Sequence, residues 1–155
     1  MYNVCLRMLN NREDAEDMLQ NVFLEVFSKL DQFRYESSIG AWIKRITVNR
    51  CINFLKKKRI EWITMEDQKL PVVVEEENFV DIKLSVEKIR RAIPLLPDGY
   101  RLVFTLYMLE GYDHREIAEI LSINEATSKS QLNRAKKKLK QLINNEQKIK
   151  HARPS

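Results

Sequence analysis

Glycine and proline are scarce in this chain, 3 and 4 among 155 residues. That is too few to punctuate the many turns of an all-β protein. Cysteine is scarcer still, with only Cys5 and Cys51, and two thiols build neither a disulfide framework nor a four-ligand zinc site. No second histidine or cysteine stands at ligand spacing from His114, so a metal centre is not expected. No apolar run approaches the roughly 18 residues of a membrane span. The opening Met1-Tyr2-Asn3-Val4-Cys5 lacks the apolar core of a secretory signal. No membrane insertion is therefore expected, and a reducing, cytoplasmic setting is. No Walker-type glycine-rich loop is present, which disfavours a nucleotide-driven enzyme; no cofactor and no catalytic residue are expected.

What the chain has is charge and amphipathic periodicity. Lys and Arg number 27 against 22 Asp and Glu, a net +5, with 44% hydrophobic residues, enough to bury a core. The charge is segregated: residues 1–60 carry +4, residues 61–99 carry −4 and residues 100–155 carry +5. Two basic blocks around an acidic middle suit separate contacts to a phosphate backbone, although a lysine-rich helix face is as often a solvated one. The expected fold is all-α: two small helical domains, 1–60 and 82–145, joined by a flexible acidic linker at 61–81, with a basic tail at 146–155. Pro71, Val72-Val73-Val74 and Glu75-Glu76-Glu77 sustain no period, which supports the linker assignment.

In the first block Asn11 is a good N-cap ahead of Glu13 and Asp14, which suit the positive end of a helix. Ala15, Met18, Leu19, Val22, Phe23, Val26, Phe27 and Leu30 then follow a 3.6-residue period, predicting a helix over about 12–30 with that stripe in the core. Its other side carries Asp14, Asp17, Gln20, Asn21 and Glu25, a solvated face or a docking face for a basic partner. The stretch 31–38 breaks the pattern, and Ser37 or Ser38 can cap a second helix. That helix places Ile39, Trp42, Ile43, Ile46, Ile52 and Leu55 inward and leaves Lys44, Arg45, Asn49, Arg50, Asn53 and Lys56-Lys57-Lys58-Arg59 on other faces. Aromatic rings beside a basic helix suit unpaired bases, the rings stacking and the cations holding phosphates. Phe33 and Trp42 could equally be ordinary core.

The third block is the most specific. Ile82, Val86, Ile89 and Ile93 space as a helix ended by Pro94 and Pro97; Leu102, Val103, Leu106 and Tyr107 make another, ending before Gly111. Asp113 with Glu116 three residues on has the form of a capping box. Ile117, Ala118, Ile120 and Leu121 follow, then a tight turn at Ser122-Ile123-Asn124, with Asn124 able to cap the last helix. Leu132, Ala135, Leu139, Leu142 and Ile143 face inward there, leaving Thr127, Ser128, Lys129, Gln131, Asn133, Arg134, Lys136 and Lys137 outward. This is a helix-turn-helix, whose second helix enters the major groove. Gln and Asn suit adenine edges there, Arg and Lys guanine or phosphate. Ser122 stands where Gly is usual, and a left-handed backbone at a non-glycine costs about 1 kcal/mol.

Taken together the blocks resemble a family. Asn11-Arg12-Glu13-Asp14-Ala15-Glu16-Asp17-Met18-Leu19-Gln20-Asn21-Val22-Phe23 resembles region 2.2 of bacterial sigma-70-family initiation factors, and Phe33 through Ile46 followed by Asn49 resembles regions 2.3–2.4. Leu96-Pro97, Glu110-Gly111-Tyr112, Glu116-Ile117-Ala118 and Lys129 through Lys136 resemble region 4. This order with a short tether is similar to the extracytoplasmic-function (ECF) class. The resemblance implies a non-catalytic subunit that binds core RNA polymerase and lends it promoter recognition. Asp14, Asp17, Gln20, Asn21 and Glu25 would meet the β′ clamp, and the segment near 100–110 the β flap. Phe33, Arg34, Tyr35, Ser37, Ser38, Trp42, Lys44, Arg45, Asn49, Arg50 and Asn53 would bind and open the −10 element. Thr127, Ser128, Lys129, Gln131, Asn133, Arg134 and Lys137 would read the −35 duplex. An anti-sigma protein is an expected partner beside promoter DNA. Two departures stand out: the chain begins near the end of the helix that usually precedes region 2.2, and Ser128 and Gln131 occupy positions more often Val and Arg. The alternative reading is a stand-alone helix-turn-helix regulator that binds duplex DNA without polymerase.

Overall fold

The computed structural model describes residues 1–58 and 86–151, with side chains as far as residue 145. The linker, Ile82 and the basic tail beyond residue 151 lie outside the described residues. The chain divides into two compact units, Met1–Ile60 and Glu61–Ser155. All regular structure among the described residues is helical. None of these helices is long and apolar enough to cross a membrane.

The first unit is built from α1 (Tyr2–Leu9), α2 (Arg12–Ser28) and α3 (Ile39–Lys57). Asn10, left-handed at φ 52°, ends α1, and Asn11 at once caps α2 by accepting from the Asp14 amide at 3.0 Å. The helix–helix corner is thus two residues long because each asparagine suits its place: one tolerates the left-handed region, the other supplies a capping oxygen. A short 3-10 turn, Leu30–Gln32, follows α2. Of the two serines able to cap α3, it is Ser38 whose hydroxyl accepts from the Ala41 amide, at 3.2 Å.

The core of this unit is Val4, Cys5, Met8, Leu9, Ala15, Met18, Val22, Val26, Val48, Cys51, Ile52 and Leu55. Burial at roughly 25 cal/mol per Å2 of apolar surface is what holds three short helices together. Half of the expected α2 stripe is not in it. Phe23, Phe27 and Leu30 are exposed at 38%, 71% and 47%, and on α3 Ile39 is exposed as well. The physical reason is width: eight residues on a 3.6 period sweep more of the helix surface than α1 and α3 cover. Thr47 is buried although polar, because its hydroxyl donates to the Ile43 carbonyl at 2.8 Å. The Cys5 and Cys51 thiols are both free, buried and hydrogen-bonded to each other. That bond and burial hold the Cys51 thiol well above its ordinary value, so it acts as a packing residue.

The second unit contains α4 (Val86–Ala92), a 3-10 turn at Ile93–Leu95, α5 (Asp98–Phe104), α6 (His114–Leu121) and α7 (Glu125–His151). Val86, expected inward, is 81% exposed. Leu96, Leu102, Val103, Phe104 and Leu106 are buried with Ile117, Leu121, Leu132, Ala135, Leu139 and Ile143. Arg101 is buried among them, its guanidinium donating to the Leu96 carbonyl at 3.1 Å and pairing with Asp98. It ties the turn before α5 to α5 itself. Beyond Phe104 the helix widens into a π-turn at Thr105–Leu109, where the Glu110 amide reaches the Thr105 carbonyl at 3.0 Å. Gly111, at φ 80°, then lets the chain turn away.

Candidate nucleic-acid interface

In the first unit the loop after α2 carries the aromatic group. Phe33 is half-buried, with its ring 4.8 Å from that of Tyr35 and 5.2 Å from that of Trp42. Tyr35 stands at φ 57° and is 86% exposed. A tyrosine held left-handed with its ring in solvent is costly twice over, in backbone strain and in exposed apolar surface. Such expense concentrates where a ring must be displayed. Trp42, Arg45 and Asn49 follow at helical spacing along α3, with Arg45 and Asn49 exposed; Lys44 is half-buried beside them. Arg34, Ser37 and Ser38 are exposed in the loop.

Arg50 belongs to a different face, and Asn53, one turn beyond Asn49, stands at the edge between the two. They line a groove with Met18, Asn21, Leu24 and Glu25 of α2 and with Phe54 and Lys57 of α3. Arg50 pairs with Glu25, which also accepts from Lys29 at 2.6 Å. Arg50 foremost holds the Glu25 carboxyl below the usual carboxylate range, Lys29 assisting. Asp14 pairs with Lys58 at 2.7 Å. The acidic strip of α2 is therefore two faces. Asp14 and Glu25 turn to the cations of α3, and Asn21 lines the groove between the helices. Asp17 and Gln20 are exposed on the side that also carries Phe23, Leu24 and Phe27. Sequence reasoning assigned those three aromatic and aliphatic side chains to the core or passed over them. Only the limited reach of α1 and α3 shows that they are free to touch something else.

The helix-turn-helix forms as its capping residues require. Asp113 accepts from the Glu116 amide at 2.8 Å while the Glu116 carboxylate accepts from the Asp113 amide at 2.8 Å, a reciprocal capping box. Ser122 ends α6 at φ 58°, so a serine does occupy the left-handed position. Asn124 accepts from the Thr127 amide at 2.7 Å and starts α7. Lys129 and Lys137 are exposed on α7, and Thr127, Asn133 and Arg134 half-buried. Two expectations for this helix are corrected. Ser128 and Gln131 are 0% and 2% exposed and lie on the inward stripe with Leu132 and Ala135, so neither side chain faces a duplex. The physical reason is phase: positions 128, 131, 132, 135 and 139 form one helical row, and that row is the core row.

His114 is also placed differently from a plain surface residue. It is half-buried, its ring stacked on Tyr107 at 4.5 Å between centroids and its Nδ1 2.9 Å from the Ser128 hydroxyl. Burial foremost, then Lys129, keeps its pKa below the ordinary histidine value. Among the described residues no group of histidine, cysteine, aspartate and glutamate side chains could hold a metal ion.

Residues 1–60 match the family described as Sigma-70 region 2, and residues 86–139 that described as Sigma-70, region 4. The chain is 31% identical over 155 residues to the ECF RNA polymerase sigma factor SigW of Bacillus subtilis, covering 92% of this chain and 82% of that protein. It is 34% identical over 135 residues to the RNA polymerase sigma factor SigZ of the same organism, covering 87% and 76%. Among solved structures, it is similar in fold to the sigma factor RpoE in complex with the anti-sigma factor NepR from Bartonella quintana. The TM-score is 0.59 at 21% identity, over 92% of this chain and 89% of that one.

Proposed function

Since the chain belongs to the sigma-70 family of RNA polymerase factors, in its ECF class, we propose how its two units divide promoter recognition between them. As a sigma factor it binds core polymerase and directs transcription initiation. In the first unit Phe33, Tyr35 and Trp42 receive bases that leave the −10 duplex. Arg34, Lys44, Arg45 and Asn49 hold the opened strand by its phosphates and base edges. Extruding a base costs a few kcal/mol; stacking on an aromatic ring returns about 1–3 kcal/mol per base. No nucleotide hydrolysis is required, because binding captures the open strand, and the chain acts as a non-catalytic subunit in the cytoplasm. In the second unit α7 reads the −35 duplex through Thr127, Lys129, Asn133, Arg134 and Lys137. Ser128 and Gln131 support that helix from beneath.

Core polymerase docks on the exposed side of α2. Asp17 and Gln20 supply the polar complement to a basic coiled coil, and Phe23, Leu24 and Phe27 supply the apolar area that anchors a stable interface. Asp14 and Glu25 instead set the angle between α2 and α3 by their ion pairs. The π-turn, with Tyr107, Met108 and Leu109 exposed, is the surface for the flap, since π-turns gather at functional sites. The same α2 surface suits an anti-sigma protein, as one relative of similar fold was solved with such a partner. A stand-alone duplex-binding regulator has no use for a solvent-exposed, left-handed Tyr35.

The single observation that supports this division is Tyr35, displayed at positive φ against Phe33, whose ring also meets Trp42. Permanganate footprinting of a promoter by reconstituted holoenzyme tests it. Unpaired thymines within the −10 element are expected with the native chain and are strongly reduced with Tyr35→Ala, while closed-complex formation persists. Unchanged thymine reactivity in that variant refutes the assignment.

A further inference from the structure

Ser128 lies in the first turn of α7, immediately between Thr127 and Lys129, yet it is fully buried. A buried hydroxyl needs a partner, and the partner is the imidazole of His114, 2.9 Å away from across the turn. A face of the ring rests on Tyr107 of the π-turn, 4.5 Å between centroids and 23° from parallel. One side chain is thus clamped to three elements: the start of α6, the start of α7 and the π-turn. We propose that His114 is a proton-responsive positioning residue of the duplex-reading helix, fixing the first turn of α7 through Ser128 and strengthening that helix's hold on phosphates when the solution is acidified. The inference rests on the reading of α7 as the −35 reader.

The charged groups around the ring fix the sign. Lys129 and Lys136 of α7 oppose a positive imidazole; Asp113, the cap of α6, and Glu125, at the start of α7, favour it; Tyr107 contributes only its ring face. Burial acts with the two lysines against the charged form, and together they hold the ring's pKa below the ordinary histidine value in the free chain. A duplex laid against the exposed Lys129 neutralises the stronger of the two cations that oppose protonation and adds negative potential of its own. The imidazole is then easier to protonate in the complex than in the free chain. By linkage the complex gains affinity as pH falls. The gain is absent above the histidine's pKa in the complex and complete below its pKa in the free chain. The bond to Ser128 survives the change, because a protonated Nδ1 donates to the serine oxygen. Acidification thus adds a cation beneath the duplex-reading helix without releasing the helix it positions.

The test is promoter binding by holoenzyme reconstituted with the full chain, at fixed ionic strength, between about pH 8 and pH 6. The native chain is expected to bind a −35-containing duplex about 2–5-fold more tightly at the acidic end, the range a pKa shift of up to about one unit allows within that window. His114→Gln, which keeps a hydrogen-bonding amide but does not titrate there, is expected to flatten that slope. Ser128→Ala is expected to weaken binding at both ends. Nuclear magnetic resonance of the native chain gives a reading free of any variant. The sequence holds only two histidines, His114 and His151, so two imidazole signals report, and addition of promoter duplex should raise the midpoint of His114. A slope retained in His114→Gln, or a His114 midpoint unmoved by duplex, overturns the proposal. Failure of the underlying reading looks different: Arg134→Ala would then leave discrimination of the −35 sequence unchanged at every pH.

Discussion

At the scale of single residues, the informative positions are those where the backbone or the burial is expensive. Ser122 ends α6 in the left-handed region, a conformation that costs a non-glycine residue about 1 kcal/mol. Glycine there removes that cost but is itself more flexible when unfolded. Ser122→Gly is therefore expected to stabilise the second unit by about 0.5 kcal/mol. Ser122→Val, β-branched and poorly suited to positive φ, is expected to destabilise it by about 1–2 kcal/mol. Thermal unfolding of the two variants checks both signs. Arg101 is the converse case, a charge the sequence places among apolar residues without comment. Its bonds to the Leu96 carbonyl and Asp98 make it a strut of the turn before α5.

At the scale of elements, α2 separates two jobs that the sequence lists side by side. Phe27 is 71% exposed, so Phe27→Asp leaves the core of the first unit intact. It should weaken association with core polymerase by at least about tenfold, as loss of an apolar anchor does. Glu25→Gln should leave that association within about twofold, because Glu25 is engaged with Arg50 and Lys29. Competition binding to core enzyme separates the two; equal losses would return Glu25 to the docking face. On α3 the same logic divides the residues proposed for strand opening. Trp42→Ala and Asn49→Ala are expected to impair strand opening more than closed-complex formation. Asn53→Ala, in the groove with α2, is expected to leave opening nearly unchanged. Permanganate reactivity and closed-complex affinity, measured on each variant, decide it.

At the scale of the whole chain, charge governs both stability and binding. The first unit's stability has an acid limb traceable to Glu25, whose carboxyl Arg50 and Lys29 hold below its usual range. Its contribution is present above the unfolded carboxylate's pKa, near about 4.3. It is lost as pH falls through the lower folded value. The first unit is accordingly expected to lose stability below about pH 4, with Glu25→Gln less stable at neutral pH by about 1 kcal/mol and less sensitive to acid. Melting temperatures across pH check the sign. The separation of +4 and +5 blocks by a −4 middle also predicts that affinity for promoter DNA falls steeply with added salt.

Periodicity and capping were legible in the residues themselves. The Asn11 and Asn124 caps, the Asp113–Glu116 capping box, the left-handed Ser122 and the helix-turn-helix all follow from local chemistry, which acts over three or four residues. The family resemblance was legible for the same reason, since its motifs are contiguous. The partition of each amphipathic helix between core and surface was not. Whether Phe27 is covered, whether Ser128 or Lys129 faces a duplex, and whether Glu25 is free or paired with Arg50 each depend on a neighbour distant in sequence. A helix shows its own period, but only packing against a partner of finite width decides which residues of a broad stripe lose contact with water.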